Sequence, residues 1–177
     1  MGTDPFRTDP SGWMVRFAPL VRPGGAVLDL ACGGGRHARL FLDRGHPVTA
    51  VDRDVAQARL AHGAELIEAD LEDGSPWPLP GRRFAAVAVA NYLWRPLFPA
   101  LLATLEAGGI LLIETFARGN EAFGRPRDPA HLLDRGELLR LIGDLTIVAY
   151  EDGILDGAKV VQRVCAVSGP GPAELPR

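Results

Sequence analysis

Short apolar runs alternate with amphipathic stretches along most of this chain, and glycines or prolines stand between them. Apolar runs of about four to eight residues, bounded by turn formers, predict strands buried on both faces. Such runs occupy residues 26–31, 47–52, 64–70, 84–91 and 109–116. The stretches 13–21, 36–45, 53–63, 95–109 and 132–143 carry apolar residues at helical spacing. Gly45, Gly63 and the pair Gly108 and Gly109 read as helix stops, Asp54 as a cap, and Pro96 and Pro99 as first-turn prolines. Residues 145–152 and 158–168 are two last strands, turned by 153–157. No helix separates them, so they are expected to form an antiparallel hairpin at one edge.

This alternation predicts a single α/β domain with a Rossmann-like, doubly wound sheet. Seven strands are expected, mostly parallel, ending in the C-terminal antiparallel hairpin. The domain is expected over residues 13–167. Residues 1–12 and 168–177 are rich in turn formers and are expected to be a flexible arm and tail. Two Gly/Pro-rich loops, 71–83 and 117–131, interrupt the pattern. Loops of the second one's length, about fifteen residues, are usually functional or disordered.

Composition narrows the picture without redirecting it. A chain of 177 residues, 47% hydrophobic and 23% charged, suits one ordinary globular domain. Net charge is −3 with no basic block, so a grip on nucleic acid is not expected. Lys159 is the single lysine among 19 cations. Cys32 and Cys165 stand far apart without a companion histidine at ligand spacing, so neither a metal site nor a disulfide framework is expected. No charged-then-apolar leader and no long apolar run appears, which gives a cytoplasmic, membrane-free expectation.

Candidate chemistry gathers at the ends of the strands, where doubly wound sheets bind ligands. Gly33, Gly34 and Gly35 follow the first strand and open a helix. They let the backbone turn tightly and approach a ligand, with free helix N–H groups behind them. Gly33, Gly35 and Ala38 also fit the dinucleotide fingerprint, which alone is weak. Asp29, just before the glycines, is expected to repel a pyrophosphate and to welcome a cationic amino-acid portion. That favours S-adenosylmethionine over NAD. Asp52 ends the second strand and can accept ribose hydroxyls. Asp70 ends the third and can accept the adenine amino group, with Leu71 over the ring. Each acid taken singly also suits a helix cap or a solvated loop.

The stretches VLDLACGGGRHARLF, GHPVTAVDRD, EADLED, VANYLWRPLF and GGILLIETF together resemble class I S-adenosylmethionine-dependent methyltransferases, closest to the small bacterial tellurite-resistance type. The resemblance covers about residues 13–167. It implies S-adenosylmethionine as cofactor, S-adenosylhomocysteine as product and in-line methyl transfer. It places Asp29, Ala31, Gly33, Gly35, Arg36 and His37 at the methionine portion, Asp52 and Arg53 at the ribose, and Asp70 and Leu71 at the adenine. Asn91 and Tyr92 fall where the family faces the transferable methyl. Ala31 stands where the family has glycine. His37 also reads as an ordinary exposed helical histidine.

No invariant catalytic group is required, because the sulfonium already leaves well. Asn91, Tyr92 and Glu114 are the catalytic candidates. Tyr92, Arg95, Asn120 and Arg125 are the substrate-binding candidates, drawn from the segments after strands four and five. The acceptor is expected to be a small molecule and the protein a monomer or homodimer. An NAD-dependent oxidoreductase and a non-catalytic S-adenosylmethionine-binding protein remain the alternatives.

Overall fold

The computed structural model describes residues 8–176. Seven strands form one sheet: β1 (Val27–Leu30), β2 (Val48–Asp52), β3 (Glu65–Glu68), β4 (Phe84–Ala90), β5 (Leu105–Phe116), β6 (Thr146–Leu155) and β7 (Lys159–Val167). Their order is β3-β2-β1-β4-β5-β7-β6. The first five are parallel, β7 runs antiparallel to β5, and β6 pairs with β7. The expected sheet and hairpin are both present. The strand order reverses between β1 and β4, so a cleft opens at their carboxyl ends.

Successive side chains on each strand point to opposite faces. One face buries Trp13, Met14 and Phe17 of α1 (Gly12–Phe17) and Phe41 of α2 (Arg36–Asp43). The other buries Phe98 and Leu101 of α3 (Phe98–Ala103) and Leu138 of α4 (Glu137–Leu141). Asp29 faces the α2 side with Val27, whereas Leu28 and Leu30 face the α3 side.

The helices are shorter than their apolar spacing predicts. Residues 53–63 form only a 3-10 turn at Val55–Gln57. There the Leu60 N–H donates to the Gly34 carbonyl, and Ala61 lies against Gly35. The segment therefore packs on the glycine loop instead of closing its own helical bonds. Residues 95–109 give a 3-10 turn at Arg95–Leu97 and α3. The Thr104 carbonyl takes the Phe84 N–H, and the chain passes directly into β5, which absorbs Gly108 and Gly109. Residues 132–143 yield only α4. Leu132 and Leu133 are instead buried in extended chain, where Ala117 and Leu133 make a bridge.

The two ends also differ from expectation within the described residues. Residues 1–7 of the expected arm lie outside them. Ser11 caps α1, its Oγ taking the Trp13 N–H at 3.1 Å, and is buried. The docked chain thus begins before residue 13. At the other end Ser168 exchanges hydrogen bonds with Gly108 and Gly109, and the Gly169 carbonyl takes the Thr146 hydroxyl. Residues 168–169 are therefore pinned to the sheet.

Candidate active-site cleft

The cleft has two adjoining lobes of about 900 and 630 Å³. Ala31, Asn91, Tyr92, Phe116 and Arg125 line both. Ala31 and Asn91 sit just past β1 and β4 with φ of 53° and 57°. Non-glycine residues adopt that region at a cost, and such strain concentrates at ligand sites. The glycine the family would place at position 31 fits the same conformation without strain.

The larger lobe begins at the glycine loop. A Cβ on Gly33, whose φ is +51°, would meet nothing within 4 Å, so this backbone faces open space. Gly35 does a different job. It opens α2 with φ +80°, and a Cβ there would lie 2.7 Å from the Ala61 Cβ and 2.8 Å from the Ala61 nitrogen. It does not line the cleft; it lets the 58–61 segment close behind the loop.

Asp29 departs from its expected place. It is 1% exposed, lines neither lobe, and takes the Ala38 N–H on Oδ2 at 2.8 Å. Burial raises its pKa to about 7, against the opposing Ala38 hydrogen bond and the Arg36 charge. A carboxyl that is substantially neutral at pH 7 and turned under α2 does not set the charge of the cradle. The discrimination against phosphate drawn from Asp29 therefore fails. Because its folded pKa lies above the unfolded value, its contribution to stability is full below about pH 4 and fades as pH rises through about 7. Asp29→Asn is expected to gain stability relative to the wild type between pH 5 and pH 8, measured by urea unfolding. A constant gap across that window would contradict the burial argument.

The acids that face the cleft are in the smaller lobe. Asp52 and Asp70 line it together with Arg53, Leu71 and Glu72. Asp52 takes the Gly33 N–H on Oδ2 at 2.9 Å and the Asp54 N–H on Oδ1 at 3.1 Å. It thus ties the second strand to the glycine loop while facing the lobe. Asp70 takes the Glu72 N–H at 2.9 Å, fixing the turn after β3. Tyr92 stands between the lobes. Its hydroxyl is buried near the Glu72 carboxylate and makes no well-formed hydrogen bond among the described residues. Burial, then the charges of Glu72, Asp70 and Asp52, push its pKa above the ordinary range. A buried hydroxyl left unpaired is costly and is satisfied when a polar ligand fills the cleft.

His37 lines the larger lobe but is 3% exposed, not a solvated helical residue. Its Nε2 accepts the Ser11 N–H at 3.2 Å. Burial and the Arg36 charge lower its pKa to about 3, so the ring is neutral. Arg36 lines the lobe and donates to the Asp9 carbonyl. Both residues thus anchor the segment before α1 at the rim. Cys32 lies here too, its thiol pushed to about 12 by burial and by the charges of Asp29 and Asp52.

Two other candidates stand outside the cleft. Glu114 is 3% exposed and is held by Lys159 at 3.0 Å, Arg163 at 3.3 Å and the Ser11 hydroxyl at 3.1 Å. Arg95 clamps Glu137 through two nitrogens and also donates to the Ala130 and Leu132 carbonyls. It positions the end of the 117–131 loop and does not reach a ligand. Asn120 lines the larger lobe but spends its amide inside the protein, donating to the Pro126 carbonyl and accepting the Val160 N–H. Arg125 lies on the shared wall as expected. The sequence reading missed Lys159, Phe123 and Asp156, which complete the larger lobe. A lone lysine in an otherwise arginine-only chain was the available signal for the first.

Among the described residues, no cluster of three or more His, Cys, Asp or Glu is placed to hold a metal ion. No helix among them is long and apolar enough to cross a membrane.

Residues 27–109 match the family described as the methyltransferase domain. Over 111 residues the chain is 35% identical to malonyl-[acyl-carrier protein] O-methyltransferase of Serratia marcescens, covering 55% of this chain and 41% of that protein. TehB from Haemophilus influenzae superposes with a TM-score of 0.72 at 16% identity, covering 90% of this chain and 62% of that one. An S-adenosylmethionine-dependent methyltransferase from Mesorhizobium loti gives 0.69 at 18% identity, covering 91% and 100%. The chain thus spans less than two thirds of the Serratia enzyme and of TehB. The fold is that of the class I S-adenosylmethionine-dependent methyltransferases, with TehB among its neighbours.

Proposed function

We propose that this chain, whose residues 27–109 form a methyltransferase domain, is an S-adenosylmethionine-dependent methyltransferase acting on a small-molecule acceptor. S-adenosylmethionine is the cofactor and S-adenosylhomocysteine the product. The observation that carries the reading is the placement of Asp52 and Asp70 in one lobe and the open glycine backbone in the other, with a shared wall between. The fit is chemical as well as spatial: carboxylates for ribose and adenine donors, and an unpaired Tyr92 hydroxyl where the lobes meet.

When bound, S-adenosylmethionine supplies an electrophilic methyl on a sulfonium. The chain's own residues have three tasks. Asp52 accepts the ribose hydroxyls while holding Gly33, which couples nucleoside binding to the shape of the methionine cradle. Asp70 and Leu71 receive the adenine edge and face. Asn91 and Tyr92, on the shared wall, orient the acceptor, and Phe116 excludes water there. Arg53, Arg36 and His37 complete the cofactor's surroundings.

Calorimetric titration tests the reading. S-adenosylhomocysteine is expected to bind and NADH not to; the reverse result would overturn it. Asp52→Ala is expected to weaken S-adenosylhomocysteine binding by roughly 1.5–3 kcal/mol, the scale of hydrogen bonds to a charged group. Unchanged affinity would remove Asp52 from the ribose.

A further inference from the structure

The larger lobe continues past the glycine loop into space that the smaller, adenosine-type lobe does not use. Its far wall comes from β5, the loop after it and the β6–β7 turn: Phe116, Phe123, Leu155 and Ala158, with Asp156 and Lys159 at the turn. Two observations bear on what this end accepts.

The first is that few proton acceptors face the lobe among the described residues. The His37 Nε2 lone pair is already committed to the Ser11 N–H, and burial disfavours its protonation. Glu114 is enclosed by Lys159, Arg163 and Ser11. Asp29 lies under α2. Burial opposes ionisation of both the Tyr92 hydroxyl and the Cys32 thiol. What remains is Asp54, which holds the Gln57 amide, and Asp156 at the turn. Carboxylates are poor bases toward a hydroxyl or an ammonium at neutral pH. A nucleophile that must first lose a proton finds little help here.

The second is charge. Arg36, Arg125 and Lys159 face the lobe against Asp54 and Asp156, Lys159 while paired with Glu114 at 3.0 Å and Arg36 while donating to the Asp9 carbonyl. Arg125 makes no hydrogen bond or ion pair with any described residue. It projects from the loop onto the wall shared by both lobes. The Lys159 amino group lies 5.9 Å from the Phe116 ring centroid, at the border of the apolar wall.

We infer, resting on the methyltransferase reading above, that the acceptor is a small organic carboxylate with an apolar body, which enters already ionised and is held by Arg125, with the Glu114-paired Lys159 beside it. The apolar body lies against Phe116, Phe123 and Leu155. A lone pair of the carboxylate forms the new O–CH3 bond as the methyl–sulfur bond breaks, and that bond's electron pair leaves on sulfur. Acceptor anion and sulfonium cancel to a neutral ester and a neutral thioether. No proton is released and no base is needed, which matches the lobe's titratable groups.

The test is a binding titration on protein saturated with S-adenosylhomocysteine. Benzoate, phenylacetate and octanoate are each compared with the corresponding neutral amide, and selenite serves as a small inorganic anion. Each carboxylate that binds is expected to outbind its amide by about tenfold or more, as a charge-assisted pair requires. Arg125→Gln, assayed at a saturating S-adenosylhomocysteine concentration set for the variant, is expected to erase most of that preference. Arg125 is exposed, so the variant keeps its fold. Equal binding of acids and amides, or no binding of any acid, would overturn the inference while leaving the methyltransferase reading intact. Selenite binding as tightly as the organic acids would overturn the apolar half of it. Failure of S-adenosylhomocysteine itself to bind would instead overturn the reading on which the inference stands.

Discussion

Glu114→Ala is expected to lower the unfolding free energy by about 3–5 kcal/mol, the range for breaking a buried ion pair by removing one partner. Burial alone would raise the Glu114 pKa. Lys159, Arg163 and Ser11 together outweigh it and hold the carboxylate below the ordinary range. Without the carboxylate, two cations stay close together, with side chains 21% and 17% exposed. That partial access to water places the effect toward the lower end. Arg163 also pairs with Glu151 and lies 4.8 Å from the Trp13 ring, so its displacement reaches α1. Since the folded pKa is depressed, the stabilisation is present above the ordinary carboxylate pKa and is lost as pH falls through the folded value. The wild-type advantage over Glu114→Ala, read from urea unfolding, is therefore expected to shrink in acid. A loss under about 1 kcal/mol at pH 7 would show the network to be no better than an exposed pair.

Gly35→Ala is the second large effect. A left-handed conformation costs an alanine about 1–2 kcal/mol. The added Cβ, 2.8 Å from the Ala61 backbone nitrogen, adds an overpacking cost of about 1–3 kcal/mol because backbone must move. Gly45→Ala separates the two terms. Its φ is +83°, yet nothing lies within 4 Å of the new Cβ, so it carries the conformational cost alone. Urea unfolding is expected to rank Gly35→Ala well below Gly45→Ala in stability. S-adenosylhomocysteine affinity is expected to fall only in the former, because Gly35 and Ala61 hold the loop against the 58–61 segment. Equal stabilities would mean that the contact with Ala61 relaxes freely.

The inner strands β1, β2, β4 and β5 were legible in the sequence because both faces of a parallel sheet are buried there, giving mostly apolar runs, whereas the edge strands β3 and β6 are largely exposed. The helices were legible in place but not in length. Leu132 and Leu133 have helical spacing from Leu138 and Leu139, yet they fill the core from an extended segment. Leu60 and Ala61 are drawn to the glycine loop by backbone bonds that no apolar pattern encodes. For the site, Asp52 and Asp70 end their strands at the open edge, and position alone placed them. Asp29 was misplaced because its neighbours in sequence were read and its face was not. In a strand, the residue between Leu28 and Leu30 must point the other way, here under α2. Arg95 was a substrate-binding candidate by position, but its partner Glu137 stands 42 residues later and no local pattern announces it. Lys159 and Ser11 reach the site from the two ends of the chain, a closure that only the β5–β7 pairing brings about.

The cleft is assembled from two separate stretches of polypeptide. The glycine cradle and the acids of the smaller lobe come from residues 31–93, inside the matched stretch 27–109, but Phe116, Arg125, Pro126 and His131 close that lobe from beyond it. The far wall of the other lobe comes from residues 116–159, also beyond the last matched residue, 109. The segment after β5 thus walls both lobes, with Phe116 and Arg125 on the face they share. Replacing residues 116–159 by those of a related chain is therefore expected to reshape both lobes at once, not the far end alone.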